Sequence, residues 1–446
     1  MAISSKRDMF VLFLGDVALF VFALWVALTL RNFMGDTQQF FSVHIVPFSM
    51  LFAVWVLVFY IASLYEPHTV VLKSRIPAII LNAQAVNSAI AVLFFYLIPS
   101  FGITPKIVLF LDLIISFLFI SAWRIFGTQF LGFRRKEKAA LFGSGEEMHD
   151  LYRVVNENPL YPLRFVTAVD LQKVDGIDFD REVLERILGE GVSMIVVDSR
   201  NVHITSILPR LYNLIFSHIR FIDHYRIYED IFDKVPLSLI GYSWFLENVS
   251  SRAHFGFDLL KRWMDILLAF ILFIPSLILY PFVFLAIKLD DGGPIFYIPE
   301  RVGEGNRLIH IYKFRTMTTM DDGKRLADNK DRITRVGNIL RKSRIDELPQ
   351  LWNVFRGDLS LIGPRPEFPA LVAQYQEAIP YYNMRHLVKP GLSGWAQVHH
   401  DKPPQTIEET KDKLAYDLYY LKNRSLALDI KIALKTIKTL LSRTGI

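Results

Sequence analysis

Residues 265–289 read DILLAFILFIPSLILYPFVFLAIKL, an apolar run introduced by Lys261 and Arg262 and closed by Lys288. How this run meets a lipid bilayer decides the fold. Its length allows a full crossing, since about 20 apolar residues span the hydrocarbon core. Pro275 and Pro281 sit in its middle, and each removes a helix hydrogen bond and crowds the preceding turn. A helix broken near mid-membrane can turn back and leave by the face it entered, with Ser276 a candidate partner for the freed backbone groups. The prolines therefore predict a re-entrant hairpin over 262–289.

Four further apolar segments precede it, roughly residues 9–30, 43–65, 76–98 and 106–123. The first is too long for a cleaved signal peptide, and no A-x-A-like site follows it. Lys6, Arg7, Lys73, Arg75, Arg124, Arg134, Arg135, Lys136 and Lys138 lie on one side of these segments, Arg31 and Lys106 on the other. The positive-inside rule places both ends of this four-helix bundle in the cytoplasm. Asp16 and Asp112 fall inside apolar runs, either as functional groups or as hydrogen-bonded helix contacts. Composition agrees with a membrane protein: 52% of the 446 residues are hydrophobic, and mean hydropathy is +0.30. The net charge of +6 fits an anionic partner. The absence of cysteine excludes disulfides, Cys-ligated zinc and thiol catalysis.

After residue 135 the pattern changes. Residues 138–142 predict a buried strand running into Gly143-Ser144-Gly145, then a helix over 146–155, a strand over 165–169, a helix over 181–188 and a strand over 193–198. This succession begins a doubly wound parallel sheet. The glycine turn suits a phosphate, and Asp170 stands near the place of a ribose-binding acid. Met148 occupies the third glycine position, so the fingerprint is incomplete and a Rossmann-like fold without a dinucleotide is favoured. Ser250-Ser251-Arg252 reads as the next boundary.

Residues 300–344 hold twelve Lys/Arg against six Asp/Glu. A strand near 309–314 delivers Lys313 and Arg315 at alternate positions, on one face where they could grip a diphosphate. The following stretch, 341–366, reads RKSRIDELPQLWNVFRGDLSLIGPRP. It sets Asp346 and Glu347 beside Arg341, and a rigid Gly-Pro-Arg-Pro turn carries Arg365. Carboxylates beside fixed cations suit a divalent metal and a phosphorylated substrate; alone, the same stretch also reads as a solvated ion-pair face. Trp395 suits a membrane interface or a packed core. His399 and His400 are adjacent and make a poor chelating pair. Residues 429–441 place Lys431, Lys435 and Lys438 opposite Ile430, Leu434, Ile437 and Leu441, an amphipathic helix for a membrane surface or a protein core.

The blocks KRWMD (261–265), DDGGPIFYIPERVG (290–303), IYKFRTM (311–317), DRITRVGNILRKSRIDELPQLWNVFRGDLSLIGPRPE (331–367) and VKPGLSGWAQV (388–398) together resemble the bacterial polyprenyl-phosphate glycosyl-1-phosphate transferases. The whole chain looks like their large members, similar to undecaprenyl-phosphate galactose or glucose phosphotransferases. The resemblance implies transfer of a sugar 1-phosphate from a UDP-hexose to undecaprenyl phosphate, with release of UMP, as the first membrane step of exopolysaccharide, O-antigen or capsule synthesis. It makes Asp346 the nucleophile of a covalent phosphosugar intermediate, with Glu347 and Asp346 handling magnesium. Lys313, Arg315, Arg341 and Arg365 are assigned as phosphate ligands from charge and motif position. Lys261 and Arg262, with Pro275 and Pro281 beyond them, would meet the polyprenyl phosphate at the interface. Two departures stand out: the prolines flank the family's usual Ser-Pro break, and His399-His400 replaces a Gly-Arg pair that many relatives carry.

The expected architecture is a membrane protein with a four-helix transmembrane bundle (1–135), a Rossmann-like α/β middle domain (136–250), and a C-terminal mixed α/β catalytic domain (251–446) carrying the re-entrant hairpin. It is placed in the bacterial cytoplasmic membrane with catalysis on the cytoplasmic face. Candidate partners are a UDP-sugar, undecaprenyl phosphate, membrane lipids and a second copy of the chain. Nucleic acid is set aside because no recognised motif accompanies the charge. A membrane-bound sugar-nucleotide dehydratase would need a Tyr-x-x-x-Lys pair, and none of the 18 tyrosines has Lys four positions later. A non-catalytic scaffold for polysaccharide export is disfavoured by the intact Asp346-Glu347 pair and Arg365.

Overall fold

The computed structural model describes residues 6–31, 37–62, 64–65, 76–98, 106–127, 136–158, 161, 163–176, 178–217, 219–249, 255–318, 333–400 and 402–442. Lys73, Arg75, Arg134, Arg135 and the expected boundary at 250–252 lie outside them. The chain divides into two compact units, Met1–Phe232 and Asp233–Ile446.

In the first unit, helices α1 (Lys6–Arg31), α2 (Thr37–Ile61), α3 (Ile76–Leu97) and α4 (Lys106–Ala122) are each long and apolar enough to cross a membrane. They share a core of large aromatics, in which Phe20 lies 5.3 Å from Trp55 and 5.5 Å from Phe52 between ring centroids. Asp16 is fully buried on α1. It accepts from Tyr65 Oη at 2.9 Å and pairs with Arg124, whose Nη1 donates to Leu64 O at 2.6 Å. Arg124, counted from the sequence among the flanking cations, is thus a buried partner rather than a solvated charge. Asp112 is also buried, and neither of its carboxyl oxygens has a partner among the described residues.

The same unit holds strands β1 (Glu137–Gly143), β2 (Leu163–Asp170), β3 (Met194–Val197) and β4 (Arg220–Asp223). They form one parallel sheet in the order β2-β1-β3-β4. Alternate side chains of β1 serve opposite faces: Ala139 and Leu141 join one core, Ala140 and Phe142 the other. Helix α5 (Glu146–Glu157) follows the glycine turn, and Met148 fills the core beneath it. The strands predicted at 138–142, 165–169 and 193–198 correspond to β1, β2 and β3.

In the second unit, Val235, Ile240, Trp244 and Phe245 pack with Val302, Trp395 and Leu418. Residues 233–249, assigned from the sequence to the middle domain, therefore sit with the C-terminal unit. Their apolar spacing signals burial but does not specify against which neighbour.

Helix α6 (Phe255–Asp290) runs for 36 residues and contains both Pro275 and Pro281. The expected break is not a break in the helix: a proline bends a helix without ending it when the crowded turn is accommodated, and the Ser276 hydroxyl donates to Phe273 O at 2.6 Å. Leu267, Phe270, Ile271, Leu272, Ile278 and Phe282 are each more than half exposed along its middle. Both ends are tied to the unit. Near the start, Lys261 pairs with Asp429 at 2.7 Å, Arg262 donates to Val354 O at 2.6 Å, and Asp265 accepts from Leu361 N at 3.2 Å. At the finish, Asp290 accepts from Val336 N at 3.0 Å, and Asp291 pairs with Arg315.

Short strands and helices complete this unit. Antiparallel β5 (Phe296–Tyr297) and β6 (Lys313–Phe314) pair, and parallel β7 (Ser360–Ile362) and β8 (Gly391–Ser393) pair. Helices α7 (Arg335–Ser343), α8 (Gln350–Arg356), α9 (Pro369–Ala378), α10 (Ile407–Lys422) and α11 (Leu426–Ser442) surround them. On α11, Leu428 and Ile432 are buried while Ile430 and Ile437 are exposed, so a different face docks from the one the apolar spacing picked out. Trp395 is buried, with Lys431 and Lys435 over its ring at 4.8 and 5.0 Å.

Candidate active site

Helix α7 ends at Arg344, which adopts a left-handed conformation (φ 56°) unusual for a non-glycine residue. The chain turns there into a single 3-10 turn, Ile345–Glu347, and both dyad carboxylates fall on its inner side. The helix starts with Thr334 capping Gly337 N at 2.9 Å. Gly337 is required by close approach, since a Cβ there would lie 2.1 Å from Thr316 O. Arg341 Nε donates to Thr316 Oγ1 at 2.9 Å, which locks the helix onto the segment following β6.

The two carboxylates differ in surroundings. Glu347 Oε1 accepts from Lys313 Nζ at 3.0 Å and lies 3.4 Å from Arg365 Nη2 and 3.9 Å from Arg344 Nη1. Burial alone would raise its carboxyl, yet Lys313, Arg365 and Arg344 together hold it far below the ordinary range. Asp346 is buried, and its Oδ1 has no hydrogen-bond partner among the described residues. Burial and the Glu347 charge push it up to about 6, against Lys313, Arg344 and Arg341. One carboxylate is therefore neutralised by its neighbours and the other is left open.

The register Tyr297↔Lys313 presents Lys313 beside the dyad. Arg315 Nε donates to Pro294 O at 2.6 Å, and its Nη atoms pair with Asp291 at the end of α6. Arg365 stands on the turn after β7. That turn lies against β8 so closely that a Cβ on Gly391 would come 2.1 Å from Gly363 N. Behind it, buried Arg385 donates to Arg365 O at 3.0 Å and pairs with buried Asp417 at 2.7 Å, while Lys413 pairs with Glu367. Sequence reasoning did not single out these four. Lys413 and Asp417, one turn apart on α10, carry the same signal as an exposed i,i+4 pair.

Lys313, Arg315, Arg341, Asp346, Glu347 and Arg365 all line one cavity of about 1170 Å³. Six of the residues assigned from the sequence thus meet in one place. Lys261, Arg262, Pro275 and Pro281 are not in its lining; the first two are engaged with Asp429 and the carbonyls of Val354 and Phe355. Among the described residues no group of three His, Asp or Glu side chains could hold a metal. Magnesium is commonly held by one or two carboxylates with substrate phosphates and water completing its shell. The open Asp346 oxygen beside Glu347 fits that donor set.

Residues 257–443 match the bacterial sugar transferase family. Over 192 residues the chain is 48% identical to a UDP-N-acetylgalactosamine-undecaprenyl-phosphate N-acetylgalactosaminephosphotransferase of Aeromonas hydrophila, covering 42% of this chain and 44% of that protein. It is 31% identical over 357 residues to an undecaprenyl-phosphate glucose phosphotransferase of Komagataeibacter xylinus, covering 76% of this chain and 66% of that protein. It is 43% identical over 192 residues to a UDP-glucose:undecaprenyl-phosphate glucose-1-phosphate transferase of Caulobacter vibrioides, covering 42% of this chain and 71% of that protein. The chain belongs to the bacterial sugar transferase family. It spans less than two thirds of the length of the first two of these sugar transferases. Every residue lining the cavity falls within the stretch that matches the family.

Proposed function

We propose that the protein transfers a sugar 1-phosphate from a UDP-hexose to undecaprenyl phosphate, releasing UMP, in polysaccharide synthesis. The observation that carries this reading is the divided dyad: Glu347 is neutralised by Lys313, Arg344 and Arg365, while Asp346 lines the same cavity with an Oδ1 that has no hydrogen-bond partner among the described residues. The activities by which the relatives are named supply the substrate classes.

In this mechanism an Asp346 carboxylate oxygen attacks the sugar-bearing phosphorus. The bond from that phosphorus to the bridging oxygen breaks, and UMP leaves with the electron pair. A phosphate oxygen of undecaprenyl phosphate then attacks the same phosphorus. The acyl phosphate bond breaks and the carboxylate is regenerated. One phosphoanhydride is lost and one is made, so the protein's task is to position the groups and neutralise charge. Lys313, Arg315, Arg341 and Arg365 contribute the cations around the diphosphate. Magnesium, held by Asp346 and Glu347, would screen the repulsion between carboxylate and phosphate.

The four N-terminal helices form a transmembrane bundle in the bacterial cytoplasmic membrane, with the catalytic unit on the cytoplasmic face. Helix α6 enters the bilayer and returns. This reading is supported by the bonds that tie both of its ends, through Arg262 and Asp290, to the same unit. Lys261 and Arg262 at the entry end, with Pro275 and Pro281 in the embedded part, would meet the polyprenyl phosphate and lipid. The test is UMP release from a UDP-hexose panel with undecaprenyl phosphate, comparing the native protein with Asp346→Asn. Retained turnover in that variant would sink the covalent step.

A further inference from the structure

The cavity does not end at the dyad. Another wall is made by the segment after β8 and the start of α10, where Gln397, His400, Gln405 and Glu409 line it. The dyad end is lined by cations suited to phosphates. This wall offers amides, an imidazole and a carboxylate, with exposed Lys402 also in the lining.

Gln397 is the informative member. Its Oε1 is buried and has no hydrogen-bond partner among the described residues. Leaving a buried acceptor unmade is costly, so Gln397 Oε1 calls for a donor that the described residues do not supply. The wall is also held in fixed relation to the phosphate end. Gly363 N donates to Ser393 O at 2.8 Å and Gly391 N to Pro364 O at 3.0 Å. A Cβ on Gly394 would fall 2.4 Å from Gly363 O and 3.2 Å from Gln397 Oε1. Gln397 is therefore a short, rigid step from the turn that carries Arg365.

The paired histidines divide here. His399 is drawn inward: it stacks on Tyr416 (centroids 4.7 Å apart, planes 9° apart) and meets Lys435 Nζ at 3.2 Å. His400 lines the cavity, with its Nε2 3.3 Å from Asp412 Oδ2 and its ring edge-on to Tyr416 at 5.4 Å.

We propose that Gln397, with His400, reads the hexose of the sugar nucleotide and sets which sugar is accepted. This rests on the transfer reading above. A hexose presents hydroxyl or acetamido N–H donors in several directions, which is what an unmade Gln acceptor beside an imidazole can distinguish. Uracil offers one N–H between two carbonyls and binds best against an aromatic face, whereas Gln397 and His400 offer an amide and an imidazole.

Calorimetry on the full-length protein tests this without depending on turnover. UDP-glucose, UDP-galactose, their N-acetylamino counterparts and UMP are titrated into the native protein, Gln397→Met and His400→Ala. The expected result is at least about tenfold weaker binding of the preferred UDP-sugar and a flattened ranking of the four, with UMP affinity within about twofold of native. Unchanged UMP binding also reports that each variant is folded. An unaltered sugar ranking in both variants overturns the inference. So does UMP affinity falling in step with the UDP-sugars, because the wall would then hold the uridine. If the sugar ranking shifts as expected but the native protein releases no UMP, the transfer reading fails and the sugar site stands.

Discussion

Lys313 Nζ donates to Glu347 Oε1 at 3.0 Å, and that bond separates the surroundings of two adjacent carboxylates. With Arg365 and Arg344 also near it, Glu347 is a fixed anion inside a cationic ring. Asp346 has no such company at Oδ1. On the proposed mechanism, the pair divides into one reactive carboxylate and one electrostatic anchor.

The two positions should fail differently. Asp346→Asn is expected to reduce UMP release by at least about 10³-fold and to abolish any acid-stable label from a donor carrying ³²P on its sugar phosphate. Glu347→Gln should slow release by about 10²-fold yet still give the covalent label after acid quench, because the attacking oxygen is intact. Equal labelling of both variants would contradict this division.

Arg385 and Asp417 form an ion pair with both side chains nearly inaccessible, and Arg385 also holds the backbone at Arg365. Removing one partner of a buried pair typically costs about 3–5 kcal/mol. Asp417→Ala should lower the unfolding temperature of the detergent-solubilised protein markedly, and Arg385→Met should do so by a comparable amount. The double variant should lose much less than the two losses combined, as a thermal-unfolding double-mutant cycle would read.

That network marks where the sequence stopped being legible. The dyad and the four cations that line the cavity with it could be singled out because they sit in short blocks whose chemistry is local. Arg385 and Asp417 are partners 32 positions apart, and nothing in either one's neighbourhood distinguishes a buried charge from a solvated one. Trp244 and Phe245 are buried, but most of their core neighbours lie beyond position 300, which a local pattern does not show, so the boundary at 250 falls too late. Pro275 and Pro281 predicted a broken helix, because the pattern shows the loss of two hydrogen bonds but not that the turns around them stay helical. The β strands of the middle domain were legible because a sheet buried on both faces needs unbroken apolar runs.

Glu367 gives a pH signature. Burial alone would raise its carboxyl, but Lys413, with Arg385 and Arg365, brings it down from 4.5 to about 2. A depressed carboxyl contributes stability that is complete above its unfolded value and is lost as pH falls towards its folded value. Between pH 4.5 and 2 the native protein should therefore lose up to about 3 kcal/mol from this group. Lys413→Met should be less stable than native near pH 7, and the gap should narrow as pH falls through this window. Unfolding temperatures at pH 7 and pH 3 in the same detergent would show it; a constant gap would rule out the Lys413–Glu367 pair as its source.

The path of α6 can be settled from outside the cell. The chain has no cysteine, so a single Pro294→Cys substitution creates one thiol just beyond the end of the helix. Position 294 is exposed, so a thiol reagent can reach it once it is on the same side of the membrane. A returning helix leaves this residue on the cytoplasmic side with Arg262, which shares the unit. In intact spheroplasts the thiol should then resist a membrane-impermeant maleimide and react fully after permeabilisation. A helix that crosses would expose it at once. Labelling before permeabilisation would also put Asp346 on the far side from cytoplasmic sugar nucleotides, since residues 294 and 346 belong to one compact unit.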